Sequence, residues 1–127
     1  MTDSIGFRKK FAIIAPSTNT SVQPEMDAMR PRGVTNHFGR IMIPNDPVRN
    51  DDDFNHLMGN IRKEMMHTVD QVMTCEPDYL VMGMSAITFF GGAKGADDFV
   101  RKIVSTPNQA IWIPSLAELQ RADVLTR

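Results

Sequence analysis

A cluster of polar side chains that could bind an anion follows a short apolar run near the start of the chain. The run, residues 11–15, is Phe-Ala-Ile-Ile-Ala, and residues 16–21 are Pro-Ser-Thr-Asn-Thr-Ser. Four hydroxyls and one carboxamide, together with the N–H groups of a following helix start, suit a carboxylate or small oxyanion. We predict that this turn is part of a substrate-binding site, with side chains from Ser17, Thr18, Asn19 and Thr20. An alternative is that these residues only form turns and caps.

A second corner of the same kind follows a later apolar run. Residues 79–84 are Tyr-Leu-Val-Met-Gly-Met, and Ser85 comes next. If both runs are parallel strands, their carboxyl ends meet at one edge of the sheet, where ligands of such folds bind. We therefore expect Gly83, Met84 and Ser85 to border the same pocket as the turn at residues 16–21.

Strands and helices alternate along the chain and would position these two turns. Apolar steps of three and four make residues 54–75 the clearest helix. Further helices are predicted at residues 22–29, 96–104 and 116–124, and strands at residues 11–15, 34–43, 79–84 and 110–113. Ser21 is the predicted N-cap of the first helix. This order predicts an α/β fold, a four-stranded parallel sheet flanked by helices, in a single domain of residues 1–127.

Composition argues against several classes of partner. The 14 basic and 15 acidic side chains give a net charge of −1, so the sequence carries no electrostatic signature of a nucleic-acid or anionic-membrane surface. No apolar run approaches the roughly 18 residues of a membrane span, and no leader-like segment opens the chain. A single cysteine excludes an intramolecular disulfide. We expect a soluble, cytoplasmic protein with no nucleic-acid or membrane partner.

Other motifs that could carry chemistry are weak. The three histidines are scattered, and the acidic run at residues 51–53 lacks the pattern of a calcium loop, so we predict no metal site. The glycine-rich residues 91–95 lack nucleotide-binding spacings and are interpreted as a turn leading into a helix. Cys75 ends the long helix, where the helix dipole disfavours a thiolate, so we interpret it as structural.

Two segments together resemble a known group of enzymes. They are residues 14–20, Ile-Ala-Pro-Ser-Thr-Asn-Thr, and residues 79–85, Tyr-Leu-Val-Met-Gly-Met-Ser. The chain resembles the aspartate/glutamate racemase superfamily, and within it the maleate cis–trans isomerase and arylmalonate decarboxylase branch, over essentially its whole length. The resemblance implies the flavodoxin-like N-terminal half of a two-half fold. It also implies cofactor-free chemistry on a small dicarboxylic acid, and a carboxylate-binding role for Asn19.

The sequence departs from that family in two respects. The cysteine of the first half falls on Gly83. The decarboxylase branch also has glycine there, followed by two hydroxyl residues that help hold a carboxylate, whereas here Met84 and Ser85 follow. The family's C-terminal half, with its own cysteine, has no counterpart in these 127 residues. The catalytic residues therefore remain unassigned.

Three hypotheses follow. The chain is an enzyme of this branch whose second half is supplied separately, or an inert carboxylate-binding half that self-associates. In the third, a homodimer builds a symmetric cleft for another reaction. A half-fold exposes apolar surface that normally packs on its other half, so we expect a homodimer or a complementary C-terminal half as partner.

Overall fold

The sheet is parallel and carries helices on both faces. A computed structural model describes residues 3–84, together with residues 94–95, 97–98, 101–102, 105 and 111–113. Its elements are β1 (Lys9–Pro16), α1 (Val22–Met29), β2 (Val34–Ile41), α2 (Asp51–Met73), β3 (Tyr79–Met82) and the three-residue β4 (Ile111–Ile113). Their spatial order is β2-β1-β3-β4, and every pair is parallel. The predicted α/β class, a parallel sheet flanked by helices, is confirmed.

Alternate residues of β1 divide the core into two layers, because successive side chains of a strand point to opposite faces. Ala12 and Ile14 pack with the buried face of α2. Phe11 and Ile13 pack with Val81 and with the partly buried apolar side of α1. The central strands are thus covered on both sides, which explains why β1 and β3 are continuous apolar runs.

Helix α2 lies unusually close to β2 at Gly39. A Cβ atom at this position would come within 2.5 Å of Val72 Cγ1 and 2.6 Å of Thr68 Cγ2. Real Cβ contacts are almost never below 3.0 Å. The absence of a side chain at Gly39 is therefore what allows the helix to seat on the sheet at this distance.

Several predicted boundaries differ from the structure. β1 spans Lys9–Pro16 rather than residues 11–15, β3 ends at Met82 rather than at residue 84, and α2 ends at Met73 rather than at residue 75. Two further differences have a visible cause. β2 ends at Ile41 rather than at residue 43, because the Ile43 N–H leaves the strand ladder and donates to Ser17 Oγ at 3.0 Å. α2 begins at Asp51 rather than at residue 54. Its N-terminus is capped by Asn50, whose Oδ1 accepts from the Asp53 N–H at 2.8 Å. The Asp53 carboxylate in turn accepts from the Arg49 N–H, just before the cap, at 3.1 Å.

Helix α2 ends at Met73, and a left-handed residue three positions later redirects the chain towards β3. Glu76 has a φ of 52°, and its N–H donates to the Met73 carbonyl at 3.0 Å. Pro77 follows and cannot extend the helix.

No helix in the described part of the chain is long and apolar enough to cross a membrane. The predicted helix at residues 116–124 lies outside the described residues, and the one at 96–104 lies only partly within them.

Candidate functional site at the carboxyl edge of the sheet

The predicted site lies at the point where the sheet reverses its direction of growth. From β1 the chain crosses to β2 by way of α1 on one face, then returns past β1 to β3 by way of α2 on the other. In open α/β sheets such a reversal leaves a crevice outside the carboxyl ends of the two neighbouring strands. Here those strands are β1 and β3, followed by the turn at residues 16–21 and the corner at Gly83.

The two turns are neighbours in space. The Gly83 N–H donates to the Ile14 carbonyl at 2.7 Å and so continues the β1–β3 ladder by one residue. A Cβ atom at Gly83 would lie 2.9 Å from Cγ1 of Val22, the first residue of α1. The corner after β3 therefore packs directly against the start of α1.

Asn19 is tied to the helix start through one of its two polar branches. Its Oδ1 accepts hydrogen bonds from the Ser21 N–H at 3.1 Å and the Val22 N–H at 2.9 Å. The prediction that Ser21 caps α1 was half right: Ser21 occupies the N-cap position, but its side chain makes no capping bond. Two N–H donors require the amide oxygen on that side, so the Nδ2 amino group is the branch turned away from the helix start. No described residue accepts a hydrogen bond from it.

The Ser17 side chain, like that of Asn19, accepts a backbone hydrogen bond and still has a donor available. Its Oγ accepts from the Ile43 N–H, which joins the turn to the segment after β2, and its own N–H donates to the Ile41 carbonyl at 2.8 Å. A hydroxyl that accepts one bond keeps its O–H to donate. Thr18 and Thr20 are exposed, and their hydroxyls make no hydrogen bond with a described residue.

A cation that the sequence analysis missed lies beside this turn. The Arg40 guanidinium donates to two backbone carbonyls of the turn, that of Asn19 at 2.6 Å and that of Pro16 at 3.2 Å. It also donates to Gln23 Oε1, in the first turn of α1, at 2.7 Å. The sequence did hold a signal, since Arg40 stands one residue before the end of β2. The register pairs it with Ala15, just before the turn. The candidate site therefore has a positive charge at its border, in addition to the uncharged donors that the sequence predicted.

The other predicted residues differ in what they can offer. The partly buried side chain of Met84 packs on the core cluster beside α2. Gly83 has no side chain that could bind a ligand; its absence of a Cβ atom allows the corner after β3 to pack closely against Val22. Ser85 and the Gly91–Gly92 turn lie outside the described residues.

Cys75 lies at the opposite edge of the sheet. Its carbonyl accepts from Lys10 Nζ at 2.7 Å, and Lys10 stands at the start of β1, about 20 Å of extended strand away from Pro16. Burial raises the pKa of the Cys75 thiol, and nearby Lys10 only partly opposes this. The thiol is bonded to the Val72 carbonyl at 3.0 Å. Cys75 is therefore remote from the candidate site and held as a neutral thiol.

Across the described residues, no three His, Cys, Asp or Glu side chains are grouped so that they could hold a metal ion. The groups brought together at the site are hydrogen-bond donors and one guanidinium. This arrangement can bind and orient an anion, and its described part holds no group suited to exchange a proton near neutral pH.

Comparison with known proteins gives a likeness in structure. No family model matches the sequence. No curated protein matches it. Among solved structures, Nocardia farcinica maleate cis-trans isomerase, bound to Tris, superimposes with a TM-score of 0.63 at 14% sequence identity. The match covers 91% of this chain and 48% of the isomerase chain, so the chain spans about half the length of that protein. The likeness establishes that the chain shares the α/β fold of this isomerase, as the resemblance in sequence implied.

Proposed function

We propose that this chain is a carboxylate-binding half of an isomerase-like protein, acting on or binding a small dicarboxylic acid at the carboxyl edge of β1 and β3. The acid would have the size and charge of maleate or a substituted malonate. Asn19 Nδ2 and Ser17 Oγ would donate to one carboxylate. Ser85, on the corner that begins at Gly83, is proposed to assist.

The observation that carries this proposal is the way the turn uses its polar groups. Asn19 Oδ1 and Ser17 Oγ accept hydrogen bonds from backbone N–H groups. The Asn19 amino group and the Ser17 O–H remain as donors. A turn whose acceptors are occupied and whose donors remain is selective for an acceptor-rich ligand, which a carboxylate is. Arg40 adds a positive charge at the border of the same turn.

Chemistry beyond binding needs a proton donor or acceptor. The resemblance to the isomerase and decarboxylase branch favours a cofactor-free enzyme in which a second polypeptide supplies this group. A catalytically inert half-domain that only binds the acid is the alternative. Gly83 in place of the first-half cysteine argues against isomerisation by this chain, and it is compatible with both an inert half and a decarboxylase.

We further propose that the chain associates with a second copy of itself or with a complementary C-terminal half. Met42 and Val48, in the segment that follows β2, expose 63% and 48% of their surfaces. Burying apolar area contributes about 25 cal/mol per Å², so covering this segment would favour association. Sedimentation at micromolar concentration tests this, and a well-behaved monomer that binds no second half would contradict it.

Calorimetric titration with maleate, malonate and aspartate tests the binding site. The informative variant is Asn19→Asp, which keeps an oxygen for capping α1 but replaces the donating amino group with a negative charge. We expect its affinity to fall by at least about tenfold while its unfolding free energy changes little, because only the ligand-facing branch is altered. Unchanged affinity in Asn19→Asp would remove Asn19 from the site.

Turnover separates the enzyme from the inert half. Proton NMR of maleate or a phenylmalonate incubated with the chain would show cis–trans conversion or loss of carbon dioxide if the enzyme hypothesis holds. Binding without conversion, at a protein concentration where the chain is associated, favours the binding half. Cys75→Ala serves as the control and should leave any activity unchanged.

A further inference from the structure

We propose that Arg40 is a positioning residue that holds the turn at residues 16–21 in its ligand-ready shape, so that the Asn19 amide is preorganised before an anion arrives. The inference deepens the proposed function and rests on it for the identity of the ligand. The holding role itself is a property of the free protein.

One side chain connects three parts of the structure. Arg40 belongs to β2, its Nη1 binds the carbonyls of Pro16 and Asn19 in the turn, and its Nη2 binds Gln23 on α1. The carbonyl of Asn19 and its side-chain amide belong to one residue, so fixing the first limits the movement of the second. A rigid guanidinium that makes three bonds restricts the orientation of its partners, whereas a single bond would restrict little more than a distance.

The sheet and a neighbouring ring support Arg40 at its base, although its side chain is exposed. Arg40 pairs with Ala15 in the β1–β2 ladder, and its guanidinium carbon lies 5.7 Å from the centroid of the Phe38 ring. Ala15 is buried and adjoins the turn. The cation is therefore anchored to the same strand end whose turn it holds, and it brings a permanent positive charge to the place where an anion is proposed to bind.

Of the five N–H groups that a guanidinium carries, three are accounted for by these bonds, and the other two make no hydrogen bond with a described residue. Arg40 can thus keep its hold on the turn while still attracting a dicarboxylate. A lysine at this position would preserve the charge but not the three-way fork.

The test begins with the free protein. Amide–water exchange by NMR is measured for the N–H groups of Asn19 and Val22 in wild type, Arg40→Met, Arg40→Lys and Arg30→Met. Arg30 is the matched control. It follows the C-terminus of α1, far from the turn, and its guanidinium also donates to a backbone carbonyl, that of Val34. The Asp53 N–H is the internal reference, since an asparagine side chain caps it in the same way on α2.

We expect exchange at Asn19 and Val22 to accelerate by about tenfold or more in Arg40→Met and by less in Arg40→Lys, with Asp53 unchanged. Arg30→Met should match wild type at all three amides. Exchange at Asn19 and Val22 that stays at the wild-type rate in Arg40→Met would overturn the inference. If Arg40→Met fails to fold, Gln23→Ala is measured instead. It removes one of the three bonds of Arg40 and should accelerate exchange at Asn19 and Val22 by a smaller factor. Wild-type exchange rates in Gln23→Ala would then contradict the inference.

The second arm uses maleate as the probe. Wild-type affinity should fall with added salt, Arg40→Met should bind more weakly with a flatter salt dependence, and Arg40→Lys should keep the salt dependence while losing affinity. Faster exchange in Arg40→Met together with no maleate binding by wild type would uphold Arg40 as the holding residue and contradict the proposed ligand. Equal affinity in wild type and Arg40→Met, with exchange accelerated, would overturn its role in binding.

Discussion

A methyl group on Gly83 would lie 2.9 Å from Cγ1 of Val22 and 3.1 Å from the carbonyl oxygen of Ile14. The corner after β3 and the start of α1 are thus fitted to each other with no room for a side chain between them. In this chain Val22 occupies the space that such a side chain would need.

Gly83→Ala should therefore destabilise the protein by about 1–3 kcal/mol, because either Val22 must change its position or the β1–β3 ladder must shift. Urea unfolding measures the loss. Adding Val22→Ala should recover part of it, so that the double variant is more stable than the sum of the two single changes predicts. Strict additivity would show that the two residues do not share this space.

The fit of α2 on the sheet gives a second prediction, with a matched control on the helix itself. Gly39→Ala places a Cβ atom within 2.6 Å of Thr68 and Val72 and should cost about 1–3 kcal/mol. Gly59→Ala, in the middle of α2, meets nothing within 4 Å and should stabilise the protein by up to about 1 kcal/mol, since alanine is the better helix former. Thermal unfolding of the two variants should shift in opposite directions.

The capping bonds predict different effects for two neighbouring residues. Asn19→Ala removes the oxygen that accepts from Ser21 and Val22 and should cost about 1 kcal/mol of unfolding free energy. Ser21→Ala should be close to neutral, because the Ser21 side chain makes no capping bond. Equal losses in the two variants, measured by urea unfolding, would contradict the assignment of Asn19 as the cap.

Asp78 makes the stability of the amino edge dependent on pH. Partial burial acts to raise the pKa of its carboxyl, but bonds from the Lys10 N–H at 2.8 Å and from Lys9 Nζ at 3.0 Å bring that pKa below its usual range. A lowered folded-state pKa means that the stabilisation is complete above the unfolded value of about 4 and is lost as the pH falls through the folded value.

Urea unfolding from about pH 6 down to about pH 2 should thus show a steeper loss of stability in wild type than in Asp78→Asn. Lys9→Met should keep part of the wild-type slope, because the backbone bond from Lys10 to Asp78 remains and solvent screens the charge of the exposed Lys9 ammonium. An identical slope in wild type and Asp78→Asn would remove Asp78 as a source of the pH dependence.

The sequence alone determined the class of fold and the location of the candidate turn, because both depend on local patterns. The unbroken apolar run of β1 requires burial on both faces, and the steps of three and four in α2 allow only a helix with one buried side. Polar residues after β1 and a glycine after β3 then lie at one edge, since parallel strands end together.

Only the tertiary structure decided what those polar residues do. Asn19 rather than Ser21 caps α1, because the path of the turn brings the Asn19 oxygen to the two N–H groups. Arg40 entered the site because the register of β2 on β1 carries it to the turn. The tight contact of Gly83 with Val22 joins residues about sixty positions apart. Composition and periodicity do not reveal such pairings, because the pairings depend on how strands and helices pack and not on any single segment.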